Sequence, residues 1–101
     1  MAGKARGRKS IFITGAASGI GRATAKLFHS KGWFVGAMDV DTGGLSTLAQ
    51  ELGNDNCFTR KLDVTDKKDY DAAIAEFGAE TDGKMDVLFN NAGIGESGWF
   101  E

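Results

Sequence analysis

The chain has 101 residues but no proline, and only one cysteine, one histidine and one tyrosine. The single cysteine, Cys57, excludes an internal disulfide and is typical of a reducing compartment, so we expect a cytoplasmic location. No apolar run approaches the roughly 18–20 residues that a membrane-spanning helix needs. No apolar stretch follows the basic N-terminus as it would in a signal peptide. We therefore expect no membrane partner.

Groups that could carry acid–base or metal chemistry are equally scarce. His29 lies late in a predicted helix and has no nucleophile or ligand residue beside it. Tyr70 falls on the apolar stripe of another predicted helix, which favours a core position. Glu96 and Glu101 lie in a stretch without periodicity. The sequence therefore predicts no catalytic residue and no metal site in these 101 residues.

The composition is that of a small globular protein. It is 42% hydrophobic and 26% charged, with a net charge of −2, which argues against disorder and against a nucleic-acid partner. Residues 1–9 carry four basic side chains among Gly and Ala, so we expect a flexible basic tail there. A weak anion or nucleic-acid contact is the alternative for that tail. Residues 10–101 are predicted to belong to a single domain.

Strand-like and helical patterns alternate along the chain in the order β-α-β-α-β-α-β. The predicted strands are residues 10–14, 33–38, 57–62 and 85–89. Three helical segments lie between them, with apolar residues at i, i+3, i+4 and i+7 or close to it: Ile20, Ala23, Leu27 and Phe28; Leu45, Leu48, Ala49 and Leu52; Tyr70, Ala73, Ile74 and Phe77. Such alternation predicts an α/β fold, a doubly wound parallel sheet with helices on both faces.

Glycines mark the expected helix ends. Gly32, Gly53 and Gly78 are predicted to stop the three helices. The segment 42–44 (Thr-Gly-Gly) is expected to break the pattern before the second helix. The third helix is expected to begin at a Thr65 or Asp66 cap.

A glycine-rich loop joins the first strand to the first helix. Its spacing is G-x-x-x-G-x-G, with Gly15, Gly19 and Gly21. Such a loop can bring backbone N–H groups to a phosphate at a helix N-terminus. Arg22 stands where a P-loop would need its lysine, and the P-loop spacing fails, so a triphosphate site is disfavoured. A purely structural turn is the alternative.

An acidic residue at the end of the second strand extends this phosphate site. Asp39 follows Gly15 by 24 residues, near where a carboxylate meets the adenosine ribose hydroxyls of a dinucleotide. No basic residue follows it in 40–42, and none lies in the loop before Gly21. These features favour NAD over NADP, although an ordinary strand-end aspartate is the alternative.

Four motifs together resemble the N-terminal half of the short-chain dehydrogenase/reductase family. They are T-G-A-A-S-G-I-G at 14–21, Asp39, D-V at 63–64 and N-N-A-G at 90–93. The resemblance spans Ser10 to about Gly95. It implies a partial Rossmann-type sheet and an NAD(H) or NADP(H) cofactor. It further implies alcohol–ketone hydride transfer, a small-molecule substrate and a homo-oligomeric full-length enzyme.

The resemblance also assigns residues to the cofactor. They are Thr14, Gly15, Ser18, Gly19, Ile20, Gly21, Asp39, Asp63, Val64, Asn91, Ala92 and Gly93. The loop residues up to Gly21 would surround the pyrophosphate, and Asp39 would hold the adenosine ribose. Asp63 would bind the adenine amino group and Val64 the adenine ring. The last three would line the nicotinamide-side ribose, while Asn90 would tie the central strands together.

The chain departs from the family pattern in its catalytic residues. The family relays a proton through a Tyr-x-x-x-Lys motif with an upstream serine, but four residues after Tyr70 stands Ile74. We therefore expect a fragment that holds the cofactor half-site without the Ser/Tyr/Lys set and is inactive alone. A non-catalytic dinucleotide-binding fragment or module is the alternative. A related epimerase is disfavoured by the two glycine-containing motifs.

Overall fold

The computed structural model describes residues 4–53 and 55–92. Within these residues, strands and helices alternate in the predicted order. The elements are β1 (Ser10–Thr14), α1 (Gly19–Ser30), β2 (Phe34–Asp39), α2 (Thr42–Leu52), β3 (Cys57–Lys61), α3 (Lys67–Thr81) and β4 (Val87–Asn90). The predicted α/β class is thereby confirmed.

The strands form one parallel sheet in the order β3-β2-β1-β4. Thr14 at the end of β1 pairs with Met38 of β2 on one side and with Asn90 of β4 on the other. Asp39, the last residue of β2, pairs with Lys61, the last residue of β3. The carboxyl ends of all four strands therefore share one edge, which is where ligands bind in open parallel sheets.

Helices cover both faces of the sheet. Along β1, Ile11 and Ile13 belong to a buried cluster with Ala25 of α1 and Leu48 of α2. Phe12, between them, belongs to a second cluster with Phe77 of α3. Because side chains alternate across a strand, α1 and α2 lie on one face and α3 on the other. This is the doubly wound arrangement that the alternation predicts.

Of the four apolar residues predicted to face the core from helix α1, only Phe28 packs against it, and it is half-buried. Ile20 and Leu27 are 69% and 53% exposed, and Ala23 is exposed as well. The buried residues of this helix are Gly21 and Ala25. Small residues on the sheet side let the helix axis approach the strands closely, and this close approach outweighs the larger apolar side chains on the other side.

The two glycines before the second helical pattern do not break it. Helix α2 begins at Thr42 and includes both of them in its first turn. Asp41 caps the helix, since its carboxylate accepts a hydrogen bond from the Gly44 N–H at 2.9 Å. The predicted end at Gly53 is confirmed, with a left-handed φ of +88° at that residue.

Helix α3 is longer than its glycine signal predicts. It is capped by Asp66, as one of the two predicted alternatives, and the Asp66 carboxylate accepts from the Asp69 N–H at 3.2 Å. It continues through Gly78 to Thr81 and ends at Asp82, which adopts the left-handed conformation at φ +57°. The predicted stop at Gly78 is wrong because a glycine can remain helical when its successors do.

Three strands differ slightly from their predicted bounds. β2 covers Phe34–Asp39 instead of 33–38, β3 covers Cys57–Lys61 instead of 57–62, and β4 covers Val87–Asn90 instead of 85–89. The side chain of Asp86 accepts the Ser10 N–H at 2.7 Å. The Asp86 N–H donates in turn to the Ser10 carbonyl at 3.1 Å, so one side-chain and one backbone hydrogen bond join β1 to the residue before β4.

The basic N-terminal segment makes contacts that its composition did not predict. Ala5 is 2% exposed, and its N–H donates to the Glu80 carbonyl at 2.9 Å. The Lys4 ammonium donates to the Cys57 carbonyl at 3.1 Å. These contacts attach residues 4 and 5 to the amino-terminal edge of the sheet, opposite the ligand edge.

Strand β4 is an edge of this sheet. Val87 and Leu88 are 36% and 49% exposed.

No helix among residues 4–53 and 55–92 is both long and apolar enough to cross a bilayer.

Candidate dinucleotide-binding site

The loop after β1 folds tightly because three of its positions are glycine. Gly15 and Gly19 have left-handed φ values of +68° and +59°. A β-carbon on Gly21 would lie 2.1 Å from the Gly15 carbonyl oxygen. Glycine at these positions therefore lets the first turn of α1 sit directly on the end of β1.

The N-terminus of α1 presents backbone N–H groups to solvent. The Arg22 N–H donates to the Ser18 carbonyl at 3.2 Å, so the three preceding N–H groups have no helical acceptor. Ser18, Gly19 and Ile20 are exposed, whereas Gly21 is buried. The Ser18 side chain makes no capping hydrogen bond within the described residues. This end of the helix can therefore bind a phosphate.

Asp39 is joined to the glycine loop. Its Oδ2 accepts the Ala17 N–H at 2.9 Å, and its Oδ1 accepts the Asp41 N–H at 3.0 Å. The Ala16 N–H donates to the Met38 carbonyl at 3.0 Å, which pins the loop to β2 from the other side. Each carboxylate oxygen retains a lone pair for a ribose hydroxyl. The carboxylate is thus oriented before any ligand arrives.

Asp63 lies just past β3 and is exposed. Its Oδ1 accepts both the Thr65 hydroxyl at 2.6 Å and the Thr65 N–H at 3.0 Å. These hydrogen bonds hold the pKa of the Asp63 carboxyl below its usual value. Its Oδ2 accepts no hydrogen bond from the described residues, so it can accept one from an amino group.

An open groove of about 740 Å³ runs between the ends of β2 and β3. Its lining residues are Val40, Arg60, Lys61, Asp63, Asp66 and Asp69. Val40 is 58% exposed and supplies an apolar wall. Val64, half-buried, packs instead against the α3-side cluster that contains Phe12 and Leu62. A flat, partly polar base fits this mixed polar and apolar lining.

An ion-pair network holds α3 against β3 below this groove. Arg60 contacts Asp69 at 2.9 Å and Glu76 at 3.0 Å. The Asp63 N–H also donates to Asp69, and this bond together with the Arg60 guanidinium lowers the pKa of the Asp69 carboxyl. The guanidinium of Arg60 is therefore occupied by two carboxylates.

Thr14 is the last residue of β1 and lies directly before the glycine loop. It is fully buried, and its hydroxyl donates to the Asn90 side chain at 2.8 Å and accepts the Ala92 N–H at 3.0 Å. Thr14, which is predicted to contact the cofactor, thus links the end of β1 to the end of β4 and the residues after it. The predicted tie between the central strands through Asn90 is present in this bond.

The segment after β4 reaches back to the glycine loop. The Asn91 amide donates to the Gly15 carbonyl at 3.3 Å, and Ala92 is exposed next to it. A β-carbon on Gly15 would lie 2.9 Å from that amide nitrogen, so the glycine permits the contact. Gly93, also predicted for the cofactor, lies outside the described residues.

The residues without a predicted role in the cofactor site lie elsewhere. Tyr70 is half-buried, with its ring edge-on to Phe12 at 6.2 Å, on the opposite face from the Asp39 carboxylate. His29 contacts the Asp55 carbonyl at 2.9 Å through Nε2. Within the described ranges, no three His, Cys, Asp or Glu side chains are grouped to hold a metal ion.

Comparison of the sequence with models of known protein families identifies the family of this chain. The model described as short chain dehydrogenase matches residues 9–101, which is nearly the whole chain. The chain belongs to the short-chain dehydrogenase family. The predicted resemblance is therefore confirmed, and the family consists of oxidoreductases that use NAD(P).

Individual short-chain dehydrogenases match at moderate identity. Short-chain dehydrogenase reductase 5 of Arabidopsis thaliana is 38% identical over 95% of this chain and 37% of its own length. D-threitol dehydrogenase of Mycolicibacterium smegmatis is 40% identical over 85% of this chain and 34% of its own. The chain thus spans only about a third of these relatives.

Solved short-chain dehydrogenase structures share the fold. A glucose/ribitol-type short-chain dehydrogenase/reductase from Brucella melitensis superposes with a TM-score of 0.76 at 32% identity, covering 87% of this chain and 37% of the other. A 3-ketoacyl-(acyl-carrier-protein) reductase from Brucella melitensis, solved with NADH, superposes at 0.74 and 36% identity, covering 79% and 32%. The Rossmann-type fold expected from the family is therefore shown.

Three contributors to this short-chain dehydrogenase site escaped the sequence reasoning. Ala17 supplies the N–H that fixes the Asp39 carboxylate, although the alanine side chain gives no sign of this in the sequence. Val40 follows Asp39 directly in the sequence, but only its exposure in the structure shows that it lines the groove. Lys61 enters the groove from a different strand, which only the pairing of β3 with β2 reveals.

Proposed function

We propose that this chain is the cofactor-binding part of an NAD(H)-dependent oxidoreductase that interconverts an alcohol and a ketone. One observation carries the proposal. The Asp39 carboxylate is held by the N–H of Ala17, a residue of the glycine loop, so the ribose site and the phosphate site form one rigid unit. A dinucleotide that bridges the two needs this spacing.

The donor set matches the parts of an adenine dinucleotide. A pyrophosphate would accept hydrogen bonds from the N–H groups of Gly19 and Ile20 and from the Ser18 hydroxyl. Asp39 would accept the two adenosine ribose hydroxyls, and Asp63 would accept the adenine amino group through its open Oδ2. Gly15 and Gly21 would not bind the pyrophosphate through side chains, but their close packing holds the loop and the start of α1 together.

The nicotinamide end would lie beside the segment after β4. Asn91 and Ala92, with Gly93 beyond the described residues, are assigned to the nicotinamide-side ribose. Asn91 is already fixed to the Gly15 carbonyl, which orders that wall. A bound nicotinamide supplies the hydride donor or acceptor for alcohol–ketone chemistry.

The charge of Asp39 favours NAD(H) over NADP(H). A carboxylate accepts hydrogen bonds from both ribose hydroxyls but repels a 2′-phosphate, which carries about −1.5 to −2 charges at neutral pH. No basic residue follows Asp39 within three positions. We infer NAD(H) as the preferred cofactor.

The 101 residues alone contain no Tyr-x-x-x-Lys motif, and Tyr70 packs into the core cluster with Phe12. We therefore propose that the chain binds cofactor but performs no turnover by itself. A non-catalytic dinucleotide-binding module is favoured by the same observation. A reading frame extended beyond Glu101 separates the two, since the enzyme needs a downstream Tyr-x-x-x-Lys and the module does not.

The whole protein is proposed to act on a small-molecule substrate as a cytoplasmic homo-oligomer. The single, buried cysteine supports a reducing compartment. The exposed apolar edge at Val87 and Leu88 supports a larger assembly of this sheet than the described residues alone form.

Titration with NADH tests the proposal. Cofactor fluorescence should rise and saturate as the chain is added, and excess NAD⁺ should reverse the signal. Asp71→Ala, which only breaks the exposed pair with Lys67 on α3 outside the groove, serves as the matched control and should bind NADH as the unchanged chain does. Absence of saturable binding in a folded chain, checked by circular dichroism, would refute the dinucleotide site.

A further inference from the structure

The pairing of β2 with β3 places a cation next to the ribose-binding carboxylate. Asp39 and Lys61 are register partners at the ends of the two strands, and the Leu62 N–H donates to the Asp39 carbonyl at 3.0 Å. Neighbouring strands lie about 4.8 Å apart. The two Cα atoms are therefore close although the residues are far apart in sequence.

Both side chains project to the same face of the sheet. Arg60 and Leu62, on either side of Lys61, contact α3 residues or the α3-side cluster. Because side chains alternate along a strand, Lys61 points to the α2 face. Asp39 points to that face as well, since its carboxylate accepts the Ala17 N–H.

The charge of Lys61 is available to a ligand. The other cation in the groove, Arg60, is bound by Asp69 and Glu76. Lys61 is exposed, lines the groove near the carboxylates of Asp63 and Asp69, and forms no ion pair with any residue of 4–53 or 55–92. An ammonium on a flexible four-carbon stem can reach a phosphate at the ribose edge.

We propose that Lys61 is a cofactor-specificity residue that binds the 2′-phosphate of an adenosine ribose seated at Asp39, so that the site accepts NADPH as well as NADH. This inference rests on the proposed dinucleotide site. Asp39 disfavours the phosphate and Lys61 offsets that repulsion across the strand pair. The site should therefore bind NADH more tightly than NADPH by only a moderate factor.

Parallel titrations of NADH and NADPH into the Lys61→Ala chain test the role. The dissociation constant for NADPH should rise about fivefold, the size expected for a solvent-exposed charge pair, and that for NADH less than about twofold. Lys61→Arg should retain NADPH binding. The NADPH effect should shrink between 0.05 and 0.5 M salt, where screening shortens the range of the interaction.

Lys67→Ala is the matched control. It removes the same charge from an exposed lysine that pairs with Asp71 on α3, outside the groove. It should change neither dissociation constant by more than about twofold. Equal weakening of both cofactors in Lys61→Ala, or no change in either, would overturn the specificity role while leaving the dinucleotide site intact. If the unchanged chain bound neither cofactor, the proposed function itself would fail, and this inference with it.

Discussion

The carboxylate of Asp39 and the N–H of Ala17 are joined by a hydrogen bond of 2.9 Å. This bond connects the end of β2 to the glycine loop that follows β1. It fixes the distance between the proposed ribose-binding group and the proposed phosphate-binding helix end. Cofactor preference should therefore respond to changes at Asp39 more strongly than to changes at its acidic neighbours.

Asp39→Ala should weaken NADH more than NADPH. The change removes two acceptors for ribose hydroxyls and relieves repulsion of a 2′-phosphate, so the NADH-to-NADPH affinity ratio should fall about tenfold. Fluorescence titration of both cofactors measures the ratio. Asp41→Ala is the control, because it costs the α2 cap about 1 kcal/mol but should leave the ratio unchanged. An unaltered ratio in Asp39→Ala would remove Asp39 from the ribose site.

Two helical glycines should respond to alanine with opposite signs. Gly21→Ala places a methyl group 2.1 Å from the Gly15 carbonyl oxygen and should lower the free energy of unfolding by about 2 kcal/mol or more. Gly43→Ala meets only the Asp41 side chain at 3.6 Å and should raise it by about 0.5–1 kcal/mol. Urea unfolding followed by circular dichroism checks both. A neutral Gly21→Ala would show that the loop and helix can separate without cost.

Stability should fall in acid partly through Asp69. Its pKa is lowered in the folded chain by the Asp63 N–H and the Arg60 guanidinium. A depressed pKa stabilises the fold above the unfolded value of about 4 and loses this effect as the pH falls through the folded value. Asp69→Asn should therefore flatten the decline in stability below about pH 4.

Urea unfolding at several pH values measures that slope. Asp71→Asn, which breaks the exposed pair with Lys67, is the control and should keep the steeper acid decline. The same slope in Asp69→Asn as in the unchanged chain would contradict the role given to Asp69.

The single thiol should be unreactive in the folded chain. Cys57 is 4% exposed, and burial raises its pKa to about 11. The nucleophilic thiolate is thus scarce near pH 8 as well as inaccessible. Reaction with a chromogenic disulfide reagent should be slower by about 100-fold or more in buffer than in 8 M urea. Equal rates would show that the amino-terminal edge opens readily.

The isolated chain should show no dehydrogenase turnover. Assays with NAD⁺ and a panel of alcohols, followed by absorbance of the reduced cofactor, should give no signal above a blank. Tyr70→Phe should leave cofactor binding unchanged, since the ring packs on Phe12. Turnover that Tyr70→Phe abolishes would show that Tyr70 is catalytic.

Local patterns determined most of the architecture. Short apolar runs alternate with helical periodicity, and this alternation requires a parallel sheet with helices on both faces. The glycine spacing, Asp39 and the N-N-A-G stretch predict a dinucleotide site at one edge of that sheet. The sequence also predicted the end of α2 at Gly53 and narrowed the cap of α3 to Thr65 or Asp66, because capping depends on residues only a few positions apart.

Contacts between distant residues were decided only by the tertiary structure. The buried face of α1 carries Gly21 and Ala25 instead of Ile20 and Leu27, because close approach to β1 outweighs side-chain apolarity. Thr14 became a buried link between strands. Lys61 came to stand beside Asp39 through strand pairing. Periodicity reports the neighbours of a residue along the chain, whereas steric fit and strand order determine its neighbours in space.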